Sequence, residues 1–245
     1  MRDNVRQAVS DLFVLVDAID EGTLTDGSNK MDPAKIYFLG HSLGAMVGTV
    51  FTALEPNVRD AAFAFGGASL AKILDGSAAF GPTIAAGLAA KGVVKGTPDY
   101  ESFLGAAQTV VDSGDPVNHA TTAATGRGIL FFEIVGGNSS PSDLVVPNTV
   151  PDGNDTTGTV PAPLAGTEPQ LALMGLTHVN TTQGPGVVDL KVVTKYISGD
   201  HSSLLDPAPD LAVTTEIQTQ AANFFGSDGV FLNVTDNTVL QAPAP

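Results

Sequence analysis

Three polar side chains that lie far apart in the chain could together perform nucleophilic chemistry. Ser42 stands in a Gly-His-Ser-Leu-Gly motif, Asp143 follows a clear strand pattern, and His201 stands in Asp-His-Ser. A serine hydroxyl at neutral pH is a poor nucleophile, so it requires a base that takes its proton. A carboxylate must orient that base and stabilise its protonated form. These residue types predict attack on an acyl carbon by Ser42, with His201 as general acid and base and Asp143 as its orienter.

The motif around Ser42 stands in the local context that this chemistry requires. A short apolar run at residues 36–39 precedes it, and a helical pattern of small residues follows at once. Such a motif needs a strand, a sharp turn and a helix, with the serine at the apex. We expect side chains at Gly40 and Gly44 to collide with the strand or the helix, and Gly48 to let the helix approach the sheet. The alternative is a glycine-rich connection with an ordinary serine.

The elements that must position these residues are predicted by hydrophobic periodicity. Apolar runs predict strands at residues 36–39, 59–66, 128–135 and 189–198, and apolar spacings of three and four predict helices at 5–19 and 211–225. Strands that alternate with helices favour a mostly parallel sheet flanked by helices, an α/β fold. Since no internal repeat or linker divides the chain, a single domain over residues 1–245 is predicted. The tail after Gly226 is expected to be poorly ordered.

The quoted motifs also carry a family resemblance. Arg-Asp-Asn-Val-Arg-Gln-Ala at residues 2–8 and Phe-Leu-Gly-His-Ser-Leu-Gly at 38–44 resemble bacterial lipases of the α/β-hydrolase superfamily, most of all the extracellular Pla-1/cef lipases, and the resemblance extends to residues 200–202. It implies a serine carboxylesterase or triacylglycerol lipase that degrades lipids. The order Ser42, Asp143, His201 matches the Ser, acid, His order of that superfamily. An extracellular location is implied by the resemblance alone, since no signal peptide pattern is present.

The resemblance implies a helical cap at about residues 68–127. This stretch predicts irregular helices at 70–74, 80–94 and 100–111, separated by Gly and Pro. Its apolar side chains could line an acyl groove: Leu70, Ile73, Leu74, Phe80, Ile84 and Leu88. A mobile lid and a packed excursion without a gating role are both compatible with this composition.

The oxyanion site is only half predicted. The backbone N–H of Leu43, the residue after the nucleophile, is one expected donor. In the family the second donor comes from a loop upstream of the motif, and this chain has one helix there. The chain is therefore a fragment of a longer lipase or a shortened fold. Without earlier strands, strand 36–39 is expected at or near a sheet edge, and we predict a homo-oligomer that covers it.

Each member of the predicted triad has competitors. Asp143 is favoured because catalytic residues of open α/β sheets gather past the carboxyl ends of strands, and His201 because it directly follows the last strand. His41 is expected to shape the turn, and Asp200 to cap the loop beside His201. The remaining candidates are His119, His178, Asp115, Asp152 and Asp155.

Composition excludes several classes of function. The chain has 26 acidic and 11 basic residues and a formal charge of −15, which argues against nucleic acid because phosphate contacts need clustered Lys and Arg. It has no cysteine, and no apolar run reaches the length of a membrane span. No metal or other cofactor is predicted, since the oxygen-rich run at residues 152–155 lacks the ligand spacing of a calcium loop. The expected partner is an acyl ester or lipid substrate.

Two other functions remain open from the sequence. An acyltransferase would use the same triad and pass the acyl group to an alcohol. A non-catalytic remnant or interaction module would keep the fold without an activated serine. Labelling by a fluorophosphonate separates the second from an enzyme, because only an activated serine reacts.

Overall fold

A parallel β-sheet forms the centre of the computed structural model, which describes residues 2–137, 139–153 and 160–244. Strands β3 to β7 form this sheet in the order β3-β4-β5-β7-β6, and each neighbouring pair is parallel. A separate antiparallel hairpin pairs β1 with β2. The strands are β1 (Thr25–Asp26), β2 (Asn29–Lys30), β3 (Ile36–His41), β4 (Val58–Ala64), β5 (Ile129–Ile134), β6 (Thr177–His178) and β7 (Lys191–Tyr196).

Helices cover both faces of the sheet, which confirms the predicted α/β architecture. Apolar residues of α1, α2, α6 and α7 pack against one face. Helix α8 packs against the other face. The helices are α1 (Arg2–Asp20), α2 (Leu43–Leu54), α3 (Leu70–Gly76), α4 (Gly81–Ala89), α5 (Pro98–Val111), α6 (Ala120–Ala123), α7 (Thr167–Met174) and α8 (Leu211–Gly226).

Strand β5 shows why this sheet has a continuous apolar pattern. All six of its residues are buried. Phe131 packs towards α2, α6 and α7, whereas Leu130 and Phe132 pack towards α8. A strand covered on both faces needs apolar side chains on both, so β5 shows an apolar run, interrupted at Glu133, in place of alternation.

Strand β3, which carries the serine motif, lies at the edge of the sheet. No strand pairs with its outer side among the described residues. The side chain of Leu39 on this strand is 46% exposed. An edge strand presents unpaired backbone groups, and its coverage by a second copy of the chain stays a prediction.

The stretch at 68–127 is helical, with short 3-10 turns at Asp112–Gly114 and Pro116–Asn118. Helix α3 packs against α4 and α5. Helix α6, by contrast, packs against α2 and α7, and its residues Ala120 and Ala123 belong to the core cluster on the sheet. The end of the predicted cap thus lies in the body of the fold.

The tail after Gly226 is packed, so the expectation of a poorly ordered tail is wrong. Leu232 is fully buried, and its backbone exchanges two hydrogen bonds with Gln183. The buried carboxylate of Glu216 on α8 accepts the N–H groups of Thr235 and Asp236. These contacts stabilise the tail against the α8 face.

Glu133 on β5 places a titratable group in the centre of the sheet. It is 1% exposed, its Oε1 accepts the side-chain amide of Asn148, and its Oε2 lies 3.3 Å from Lys195 Nζ. Lys195 also contacts the carboxylate of Glu168. Burial, with the nearby Glu168 carboxylate adding to it, raises the pKa of Glu133 to about 7.

We expect this group to make stability depend on pH. The folded protein keeps the proton up to about pH 7, whereas the unfolded chain releases it near the ordinary pKa of 4.5. The folded state binds more protons in that window, so the Glu133 contribution is present below pH 4.5 and lost as pH rises through 7. Between pH 4.5 and about 7, the free energy of unfolding of the wild type, relative to Glu133→Gln, should fall by about 3 kcal/mol. Urea denaturation at a series of pH values measures this, and parallel curves would contradict it.

Candidate active site

Ser42 occupies the turn between β3 and α2 in a strained backbone conformation. Its φ is 57° and its ψ is −122°. A positive φ is unfavourable for a residue other than glycine, so the surrounding structure must hold it. The Ser42 N–H donates to the Ala64 carbonyl at 2.9 Å, and the Ser42 carbonyl accepts the N–H of Ala45 at 2.9 Å. Bonds to β4 on one side and α2 on the other thus fix the serine at the apex.

Two glycines make this turn possible, and a third does not behave as expected. A Cβ at Gly40 would lie 2.5 Å from the Gly44 carbonyl oxygen, and a Cβ at Gly48 would lie 2.0 Å from the Phe38 ring. Both positions therefore require glycine. A Cβ at Gly44 would meet nothing within 4 Å, so the expected collision at Gly44 is wrong. Gly44 is half-buried in the first turn of α2, and a Cβ there would point into open space.

His201 lies in the loop after β7 and contacts both other members of the predicted triad. Its Nε2 is 2.7 Å from Ser42 Oγ, and its Nδ1 is 2.6 Å from Asp143 Oδ2. A carboxylate oxygen accepts, so Nδ1 carries the proton and Nε2 is free to accept the serine hydroxyl. The ring is thus held in the tautomer that a base for Ser42 needs.

Asp143 lies in the loop after β5, and two backbone amides fix its carboxylate. Asp143 is buried, with 6% of its surface exposed. Its Oδ1 accepts the N–H of Val145 at 2.8 Å and of Val146 at 3.1 Å, which leaves Oδ2 for His201. Two backbone donors on one oxygen fix the orientation of the carboxylate. The loop therefore holds a negative charge on the far side of the imidazole from Ser42.

His41, the residue before the nucleophile, contacts His201 and helps to hold it in place. Its Nε2 donates to the His201 backbone carbonyl at 2.6 Å, and the two ring centroids are 5.1 Å apart. The Phe65 ring packs against both imidazoles, with centroids 5.7 Å from His41 and 5.9 Å from His201. His41 thus contacts the backbone of His201 and not the serine hydroxyl. The motif shows a histidine at this position, but the sequence gives no sign of its partner 160 residues away.

The competing candidates lie elsewhere or have other partners. His119 contacts the Ser113 carbonyl, and His178 contacts the Gln241 carbonyl. Asp115 is fully buried and accepts the N–H groups at the start of α3. Asp200 accepts the N–H and hydroxyl of Ser202, a capping contact within its own loop. Asp152 lies in a loop that packs near α5, and Asp155 lies outside the described residues.

An apolar cavity of about 480 Å³ opens beside the Ser42 hydroxyl. Four of the predicted groove residues line it, from α3 and the turn after it: Leu70, Ile73, Leu74 and Phe80. Ile84 and Leu88 do not line it, because α4 carries them one and two turns beyond Phe80. Met46 on α2 and the adjacent Val145 and Val146 complete the wall. The sequence offered a signal for the valines, since Leu-Val-Val directly follows Asp143 in an otherwise polar loop.

Leu43 lines the same cavity and is the first residue of α2. The N–H groups of the first helical turn have no partner within the helix and attract negative charge. Its N–H is therefore available beside Ser42. No residue before Ser42 lines this cavity in the part of the chain that the structure describes, so an upstream loop supplies nothing to it here.

Metal and membrane features are not found in the described ranges. No group of three or more His, Asp or Glu residues there could hold a metal ion. None of the described helices has the length and apolar character that a bilayer crossing demands.

Comparison with known proteins finds likeness among solved structures, and none in the other two comparisons. No family model matches the chain, and no curated protein matches it. Among solved structures, a puromycin-hydrolyzing peptidase of Mycobacterium tuberculosis is similar with a TM-score of 0.47 and 16% sequence identity. The match covers 89% of this chain and 25% of that one, so the chain spans about a quarter of the length of that peptidase.

Proposed function

We propose that this chain is a serine hydrolase that cleaves carboxylic esters with an apolar acyl part, as esterases and lipases do. The observation that carries the proposal is the unbroken pair of hydrogen bonds from Asp143 through His201 to Ser42, next to an apolar cavity. Nucleophile, base and orienting acid in mutual contact are the arrangement that acyl transfer needs.

The proposed reaction begins with attack by Ser42 on the ester carbonyl. As Oγ bonds to the carbonyl carbon, its proton passes to His201 Nε2, across the 2.7 Å contact. The carbonyl oxygen becomes negative and accepts the Leu43 N–H at the start of α2. When the bond to the leaving oxygen breaks, Nε2 donates its proton to that oxygen. Water then attacks the acyl-serine by the same route.

Asp143 stabilises the imidazolium that forms in both halves of the reaction. Two backbone N–H bonds hold its carboxylate in place beside the ring. Since its second oxygen is hydrogen-bonded to Nδ1 at 2.6 Å, the ring cannot turn without losing that bond. Orientation of the ring is therefore the role that we assign to Asp143.

The apolar cavity supports an acyl group of several carbons as the preferred substrate part. Its wall is formed by aliphatic and aromatic side chains, and Ser42 lies within it. Each methylene buried there contributes about 0.8 kcal/mol, which is about fourfold in kcat/KM. Phe80 lines the cavity and is 48% exposed, so it lies where the cavity opens to solvent.

A series of p-nitrophenyl esters tests this substrate class. We expect kcat/KM to rise by about tenfold or more from acetate to butyrate, because two further methylenes enter the cavity. Leu74→Trp narrows the cavity and should lower the octanoate to acetate ratio by about tenfold. Leu54→Trp is the matched control, since Leu54 is exposed at the opposite end of α2. Turnover of acetate without turnover of octanoate would reject the apolar acyl part.

A further inference from the structure

A second cavity lies beside the triad, on the other side of Val145. Its volume is about 410 Å³. The loop after β5 supplies Pro141, Ser142 and Leu144, and the loop after β7 supplies residues 199–202. The proposed acyl part already has a cavity of its own, so this second space has no assigned occupant.

The two cavities share His201 and differ in their access to Ser42. His201 and Val145 line both of them, whereas Ser42 and Leu43 line only the first. During acylation the acyl carbon bonds to Ser42 Oγ and must stay on the serine side. The leaving oxygen takes its proton from His201 Nε2, so the group attached to it must lie within reach of the imidazole.

We propose that the second cavity binds the alcohol part of the substrate, and that it accepts sizeable uncharged alcohols and rejects anionic ones. The inference rests on the proposed ester hydrolysis and deepens it. In the step concerned, the Oγ–C bond forms, the bond from carbon to the alcohol oxygen breaks, and the alcohol leaves with the proton that Ser42 gave to His201. The alcohol then departs through the second cavity while the acyl chain stays in the first.

The charge of the lining residues carries the preference against anions. No Lys or Arg is among the described residues that line this cavity. Its two histidines already have partners, because His41 Nε2 donates to the His201 carbonyl and His201 Nδ1 donates to Asp143. The carboxylate in the lining, Asp200, is exposed. The Asp200 oxygen accepts from the N–H and hydroxyl of Ser202, which fixes it in the wall. An anionic group placed there would lose water and find no Lys or Arg with which to pair, which is unfavourable. The net charge of −15 adds to the repulsion.

Matched butyrate esters test the charge preference on the wild-type protein. Benzyl butyrate and 4-carboxybenzyl butyrate have the same acyl chain and nearly the same shape near the reacting carbon, and differ in one charge. We expect kcat/KM to be lower by about tenfold for the carboxylate ester at low salt, with the gap narrowing as salt is added. Equal turnover of the two esters would overturn the proposal.

A substitution in the cavity wall tests its location. Leu144 is 51% exposed, so Leu144→Trp fills the cavity without disturbing the core. It should lower the benzyl to methyl butyrate ratio of kcat/KM by about tenfold. Leu211→Trp, at an exposed position on α8, is the size-matched control and should leave the ratio at the wild-type value. A ratio unchanged by Leu144→Trp would overturn the proposed location.

The outcomes separate this inference from the proposed function. If folded wild-type protein turns over none of these esters and does not react with a fluorophosphonate, both are wrong. If it turns them over without discrimination by charge or by Leu144→Trp, ester hydrolysis stands and the alcohol subsite is wrong.

Discussion

Replacing His201 with alanine is expected to lower kcat for ester hydrolysis by about 10⁴- to 10⁶-fold, as loss of the base does in other serine triads. The reason is that Nε2 is the atom placed to take the Ser42 proton, 2.7 Å away, and to return it to the leaving oxygen. Ser42→Ala should show a loss of similar size, and the double variant should lose little more, because the two residues act as a unit. Steady-state kinetics on p-nitrophenyl butyrate measures all three.

Two histidines provide controls for that loss. His119→Ala and His178→Ala change side chains that contact backbone carbonyls far from Ser42 in the chain and line neither cavity. Both variants should keep kcat within about twofold of the wild type, as substitutions remote from the reacting atoms do. If either control variant lost most of its activity while His201→Ala stayed active, the assignment of His201 as the base would be wrong.

Asp143→Asn is the second large effect, with kcat expected to fall by about 10⁴-fold. An asparagine amide can present its N–H₂ to His201, and Nδ1 must then accept. The ring proton moves to Nε2, which can no longer take the Ser42 proton. Circular dichroism and thermal unfolding should show that the variant folds, since the amide oxygen can still accept the N–H groups of Val145 and Val146.

Asp206 provides a control for Asp143→Asn, because the same substitution there removes one negative charge at a position outside the triad. Asp206→Asn changes an exposed residue that caps its own loop through the Ala208 N–H. We expect that variant to keep kcat within about twofold of the wild type. If Asp143→Asn were equally active, the carboxylate would be structural and the orienting role would be wrong.

The sheet could be predicted because its strands are buried on both faces. The run from Ile129 to Ile134 is apolar except at Glu133, and the run from Ala61 to Ala64 is wholly apolar. Each lies in a strand whose ends fall within two residues of the predicted bounds. Strand β6 was missed because Thr177–His178 is only two residues long, too short for a recognisable apolar pattern. It is a strand because it pairs with Val192 and Val193 of β7, and that pairing leaves no local pattern in the sequence.

Helix ends and the tail show where local patterns fail. The predicted helix at 80–94 ends at Ala89, because Gly92 has a φ of +86°, which a helix cannot contain. The tail looked weakly structured from its Thr and Pro content. Its order comes from Leu232 entering the core and from the buried Glu216 carboxylate, contacts that composition does not reveal.

The members of the triad could be predicted from residue type and chain order, although they lie far apart in the sequence. Ser42, Asp143 and His201 could be selected because each follows a predicted strand, and the structure brings all three into contact. The hydrogen bond from His41 to the His201 carbonyl could not be predicted, since it joins loops that only the sheet brings together. The second cavity could not be predicted either, because its wall comes from the loops after β5 and β7, which are distant in the sequence.

Fluorophosphonate labelling, with the modified residue located by mass spectrometry, tests the central claim most directly. An activated serine reacts, whereas an ordinary hydroxyl does not. We predict that the folded protein is labelled at Ser42 alone, that Ser42→Ala is not labelled, and that His201→Ala is labelled far more slowly. Folded protein that remains unlabelled, or that is labelled at another serine, would contradict a catalytic role for Ser42 and would favour a non-catalytic module with this fold.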